Sequence, residues 1–78
     1  MNINEVINVL NSNNIDGLQL SKKNGIISST WLLFKKLNFY YYFDINQKIE
    51  FVSRYRYSEE ELINEFKNSN YDFELVIN

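Results

Sequence analysis

The sequence contains no cysteine, no proline and no histidine, and only two glycines, Gly17 and Gly25. Each absence excludes a class of chemistry. Without His or Cys there is no zinc finger, no Ser–His or Cys–His nucleophile, no disulfide framework and no histidine pH switch. Two glycines do not build a phosphate-binding loop or a dinucleotide-binding turn. Long apolar runs are also missing. The longest, Trp31–Phe34, falls far short of the roughly 20 residues a membrane-spanning helix needs. The opening Met1-Asn2-Ile3-Asn4-Glu5 carries no basic stretch of the kind that starts a signal peptide, so a cytosolic location is expected. No cofactor and no metal is implied, and no enzyme activity is expected.

What remains is rich in rings. The chain has 78 residues, of which 45% are apolar and 17% aromatic. That length implies one domain over residues 1–78. A domain this small buries roughly 60% of its unfolded surface and is stable by about 5 kcal/mol. Nothing covalent staples it, so the core must come from aromatic and aliphatic side chains, each aromatic burying about 150–250 Å². Asparagine occurs 13 times. With the many Ile, Lys and Tyr residues, this is the usage of an A/T-rich genome, as in low-GC bacteria and their phages.

Periodicity predicts the element order α-β-β-β-β-α-β. Ile3, Val6, Ile7 and Leu10 form one helical stripe, with Asn2 or Asn4 as cap and Asn11–Asn14 as the stop. Residues 17–22 and 26–34 read as a hairpin about Asn24-Gly25, which pairs Leu18 with Trp31 and Leu20 with Ser29. Leu18, Leu20, Ile27, Trp31 and Leu33 then share a core face. Residues 38–44 and 48–57 alternate as a second, aromatic hairpin. Its odd-numbered residues, Phe39, Tyr41, Phe43, Phe51 and Tyr55 among them, are expected inward. That requires an odd-length loop, with Asn46 left-handed. Ser58 and Glu61 form a capping box for a helix over 59–68, broken by Asn68-Ser69-Asn70. Tyr71, Phe73, Leu75 and Ile77 line one face of a final strand. This is an α+β fold: a mostly antiparallel single sheet with two helices on one face. The last strand either pairs with the first or runs parallel to the fourth.

Charge is segregated. The net charge is −2. Residues 1–21 carry −2, residues 22–57 carry +5 and residues 58–78 carry −5. Such polarity steers encounter with a charged partner. Two surfaces follow as candidates for partner binding. One is the sheet face opposite the helices, with Phe34, Lys36, Tyr40, Tyr42, Val52, Arg54 and Arg56. Tyr and Arg are favoured at binding hot spots, and they also suit base stacking and phosphate contact. The other is the acidic cluster Glu59, Glu60, Glu61 and Glu65, whose carboxylates can imitate a nucleic-acid backbone but also cap the helix. Asp44 and Glu50 could meet beside the second hairpin, but one pair of acids at a turn is commonplace. Ser28-Ser29-Thr30 has no base to activate a hydroxyl.

The opening Met1-Asn2-Ile3-Asn4-Glu5-Val6-Ile7, with Leu10 next on the stripe, resembles the start of small phage anti-CRISPR proteins of the type II-A class. Glu65-Phe66-Lys67-Asn68 resembles a later helix in them. The resemblance implies a stoichiometric inhibitor of a bacterial defence nuclease, with a protein as partner and the infected cell's cytoplasm as the place of action. Some members of that class block the nuclease with acidic residues, and on the matching stretch Glu5 is the one acid that carries over. This chain adds a strand to the meander and another after the last helix, and it carries less negative charge. The expectation is therefore a protein-binding module using the acidic edge or the Tyr/Arg face. The alternatives are a small nucleic-acid-binding or regulatory protein, and a homodimer joined through that face or an edge strand.

Overall fold

Both helices begin with reciprocal caps. Glu5 N–H donates to Asn2 Oδ1 at 2.9 Å, and Asn2 N–H donates to Glu5 Oε1 at 3.1 Å. This sets the start of α1, Ile3–Ser12. Ser58 and Glu61 repeat the arrangement at 3.1 and 2.9 Å and start α2, Glu59–Phe66. The computed structural model describes residues 1–67 and 71–76. The predicted breaker Asn68-Ser69-Asn70 and Ile77 lie outside the described residues.

The strands are β1 Gly17–Asn24, β2 Ile27–Lys36, β3 Phe39–Asp44, β4 Arg56–Tyr57 and β5 Asp72–Leu75. They form one antiparallel sheet in the order β4-β3-β2-β1-β5. With the two helices this is the expected α+β fold and order. The last strand pairs with the first: Leu20 lies opposite Leu75, and Lys22 opposite Phe73. The outer edge of β5 is met by Met1. Its carbonyl accepts from Phe73 N–H at 2.9 Å, and its ammonium donates to Phe73 O at 2.8 Å and to Asp72 Oδ1 at 2.6 Å.

The first turn is displaced from the expected position. Asn24 pairs with Ile27, so the central turn residues are Gly25 and Ile26. Only Gly25 has positive φ, +65°, the pattern of a type II′ turn, which takes glycine first. The register shifts by two residues, and a shift by two leaves the faces unchanged. Leu20 thus faces Trp31 and Leu18 faces Leu33 on the side predicted as core. Ile27 has the right parity but stands exposed beyond the helices.

The core lies between that side and the helices. Ile3, Val6, Ile7 and Leu10 of α1 and Leu62 and Phe66 of α2 pack on Leu20, Leu33, Tyr40 and Phe73. Fully burying one such side chain stabilises by about 1.5–3 kcal/mol.

The second hairpin differs from expectation. Residues 48–55 do not pair with β3; only Arg56 and Tyr57 do, opposite Tyr41 and Tyr40. Tyr40 and Tyr57 therefore share a face, so even positions of β3 point to the helices and odd ones away. Asn46 is not left-handed; the positive-φ non-glycines are Asn14 and Leu37. The physical reason is that the 45–52 segment leaves the sheet plane and folds across the other side. There Phe51 packs edge-on against Phe34 and Tyr41, with centroids 5.3 and 5.1 Å away. Phe43 joins them, 6.2 Å from Phe51. Gly17 makes room for the Phe34 ring: a Cβ there would come within 2.6 Å of it. The face expected to be wet carries its own aromatic layer.

Candidate functional site

The residues expected to form one Tyr/Arg/Lys surface divide among three places. Tyr40 is 2% exposed beneath α1, where Asn11 Nδ2 donates to its hydroxyl at 3.1 Å. It offers nothing to a partner. Tyr42 also points to the helix side, among the side chains packed against the core. Lys36 and Arg56 lie on the opposite face, their cations over Phe51 and Phe39 at 5.0 and 4.1 Å from the ring centroids. Arg54 sits in a 3-10 turn, Ser53–Tyr55, and reaches Glu50 weakly at 3.4 Å. The proposed sheet-wide platform is therefore not assembled, because the two strands that carry it pair with opposite parity.

The acidic residues also separate by role. Glu61 is taken up by the cap, and that hydrogen bonding holds its carboxyl below the usual range. Glu59 and Glu60 are exposed in the first turn of α2. Glu65 stands further along, beside Tyr57. Glu50 is engaged by Lys48 at 3.2 Å as well as by Arg54, and Asp44 accepts from Asn46 N–H at 2.8 Å. Each of the two acids beside the second hairpin thus has a partner of its own.

A different site appears beyond α1, at the end of the helix-bearing face. A cleft of about 390 Å³ opens between β1–β3, α2 and the 45–55 segment, within the size range of small ligand sites. Three of the expected residues border it: Tyr42, Arg54 and Glu65. Trp31 and Tyr42 stack in its floor, their centroids 4.3 Å apart and planes 7° from parallel. This follows from register, since Trp31 faces Leu20 and Tyr42 faces Leu33, which sets the rings diagonally on neighbouring strands. Tyr57 and Tyr71 supply further walls.

Two polar groups in the cleft are unusual. Lys22 Nζ lies over the rings of Trp31, Tyr71 and Tyr42, at 4.0, 4.5 and 5.6 Å from their centroids. It forms no hydrogen bond or ion pair among the described residues. Burial lowers its pKa, with Asp44 opposing. Cation–π contact of this kind contributes about 0.5–2 kcal/mol but satisfies none of the ammonium's three donors. The second group is the Tyr42 hydroxyl. It is the one buried side-chain polar atom without a hydrogen-bond partner among the described residues. Burial pushes its pKa strongly upward, and Tyr71, Tyr57 and Asp44 add to this. The hydroxyl therefore stays protonated, sealed from solvent. Leaving such a group unpaired costs about 1–3 kcal/mol.

Lys22, Trp31, Tyr57 and Tyr71 were not among the expected site residues. One signal was present: Lys22 shares strand parity with Leu18 and Leu20, so a cation falls on the core face beside the single Trp. Nothing local marks Tyr57 or Tyr71, which reach the cleft through the β4 pairing and the approach to β5. No helix is long and apolar enough to cross a membrane among the described residues. Compared with protein-family models, curated proteins and solved structures, the chain matches none of them.

Proposed function

We propose that this chain is a non-enzymatic protein-binding module that acts by stoichiometric contact, and that its partner is a bacterial defence nuclease complex of the CRISPR type. In this reading it is phage-encoded and works in the cytoplasm of the infected cell, as the resemblance of its first helix implies. The observation that carries the binding role is the cleft: aromatic walls, an ammonium lying over the Trp31 ring and a guanidinium at the margin, held on a sheet with side chains packed on both faces. Aromatic and Arg side chains of this kind act as hot spots when a partner excludes water from them. Preorganised sites lose little side-chain freedom on binding. The tyrosines needed for a flat nucleic-acid platform are turned under the helices instead, which favours a protein partner over an extended polyanion.

The test is affinity capture from lysates of several low-GC bacterial hosts carrying CRISPR systems, with the tagged chain as bait. One dominant protein, recovered at a fixed ratio and lost with Trp31→Ala and Arg54→Ala, is expected. Recovery of none across the hosts overturns the reading. Salt-dependent retention of a labelled oligonucleotide, with no protein retained, overturns it in favour of nucleic acid.

A further inference from the structure

Lys22 lies where its charge is welcome and its N–H donors are not. Its Nζ is within cation–π range of three rings, 4.0 Å from the Trp31 centroid, 4.5 Å from Tyr71 and 5.6 Å from Tyr42. Strand order builds this cage. β1 carries Lys22 between β2, which brings Trp31, and β5, which Tyr71 precedes. The rings draw a positive charge and offer it no acceptor. The ammonium has three donors, and it makes no hydrogen bond or ion pair among the described residues. Negative charge stands near. Glu65 lines the cleft and forms no ion pair among the described residues, and Asp44, on β3, favours the charged form of Lys22. The other cation at the margin, Arg54, has neighbours of its own: its guanidinium is 4.7 Å from the Tyr55 centroid, and its Nη2 is 3.4 Å from Glu50 Oε2. Such a place suits a cation that has no N–H to satisfy.

From this we infer that the cleft is an aromatic cage for a quaternary ammonium head, such as that of choline or trimethyl-lysine, held against Trp31 and Tyr71, and that Lys22 occupies the cage until such a head displaces it. A methylated nitrogen needs no hydrogen-bond acceptor, so it gives up less on entering the rings than an ammonium does. Lys22 is half-buried on a flexible four-carbon stem. It swings out to water as the head enters, and there its donors regain partners. The Trp31–Tyr42 stack needs no rearrangement. The cleft, of about 390 Å³, has room for the head and a short stem. The inference goes beyond the binding role proposed above, which assigns the cleft no ligand group.

The experiment titrates the whole chain at constant ionic strength. It follows the Trp31 indole N–H, a single signal because the chain has one Trp, and one held by Ser29 Oγ at 2.8 Å. Choline is expected to shift it saturably in the millimolar range, with its neutral isostere 3,3-dimethylbutan-1-ol weaker by about tenfold. Lys22→Thr, which suits a strand but is too short to reach the rings, is expected to tighten choline by about tenfold, because the resident cation is gone. Tyr71→Ala is expected to weaken it roughly fivefold. Both variants are checked for native circular dichroism. A trimethyl-lysine derivative blocked at both ends identifies the source. Tighter binding than choline assigns the head to a protein side chain and weaker binding to a small molecule, and either upholds the cage. The inference is overturned if the alcohol binds as well as choline, if ammonium or benzoate binds in preference, if Lys22→Thr binds choline no better than the wild type, or if no probe moves the Trp31 signal. Failure of the binding role looks different. A protein captured by the wild type and lost with Trp31→Ala, while no ammonium probe binds, removes the cage and keeps the module. Choline bound with no protein captured removes the module and keeps the cage.

Discussion

Tyr40 and Tyr42 stand two residues apart on one strand and face the same way, but they end in opposite circumstances. The Tyr40 hydroxyl is held by Asn11 of α1, which also accepts from Lys35 Nζ at 2.7 Å. The Tyr42 hydroxyl is buried and has no partner among the described residues. The closed end of the helix face, under α1, satisfies its polar groups and is built for stability. The open end leaves the Tyr42 hydroxyl unsatisfied beside a ring-lined cleft. A small domain stable by about 5 kcal/mol has little margin for an orphan hydroxyl. Its presence is what the proposed contact role of the open end rests on.

Removing a core ring and a cleft ring gives the largest contrast. Phe73→Ala, in the core, deletes a side chain that is 1% exposed and packed edge-on against Phe66 at 5.3 Å. It is expected to cost about 3–5 kcal/mol and leave little residual stability at 25 °C. Tyr71→Ala, in the cleft, loses little beyond its contact with Lys22 and is expected to cost about 1 kcal/mol. Urea unfolding followed by circular dichroism measures both, and equal losses would erase the distinction between the packed core and the cleft.

The far side of the sheet gives the next largest effect. Gly17→Ala drives a Cβ to within 2.6 Å of the Phe34 ring, and that ring is held between Phe43 and Phe51. The expected cost is about 1–3 kcal/mol in the same urea experiment. A neutral result would mean that the aromatic layer there yields freely and does not fix the sheet.

A control outside both ends is Leu37, whose φ is +58° while its side chain is 91% exposed. Leu37→Gly relieves the left-handed strain and loses no packing, so the urea midpoint should rise, by about 0.5–1 kcal/mol in free energy. The smallest effect is expected at the α2 cap, on the surface. The Glu61 carboxyl is held low by its bonds to Ser58. Its contribution is therefore present above the ordinary carboxylate pKa and fades as pH falls through the lower, folded-state value. Glu61→Gln should trail the wild type in urea midpoint at pH 7, and the gap should close on acidification. A gap independent of pH would show that the carboxylate charge has no part in the cap.

The contrast between the ends also explains what the sequence made legible. Both helices were marked by caps and apolar stripes, and the β1–β2 faces by Leu18, Leu20, Trp31 and Leu33. These signals are local, or survive a two-residue slip. The run Phe39-Tyr40-Tyr41-Tyr42-Phe43 is aromatic on both faces because both are covered, so period two located a strand without saying which side met the helices. Alternation over 48–57 suggested a full strand. Only two of its residues pair, because Phe51 gains more by covering Phe34 and Tyr41 than by extending a ladder. The cleft escaped notice for the same reason: it is assembled from Lys22, Trp31, Tyr42, Tyr57 and Tyr71, on segments brought together only by sheet order and by the odd parity of the β3–β4 pairing.

The most direct measurement compares the unfolding free energies of Tyr40→Phe and Tyr42→Phe in urea. Tyr40→Phe strips Asn11 Nδ2 of its acceptor and should lose about 1 kcal/mol. Tyr42→Phe removes a hydroxyl that bonds to nothing and should leave stability unchanged or slightly higher. If Tyr42→Phe loses as much as Tyr40→Phe, the hydroxyl is already satisfied in the native protein, and the contrast between the two ends disappears.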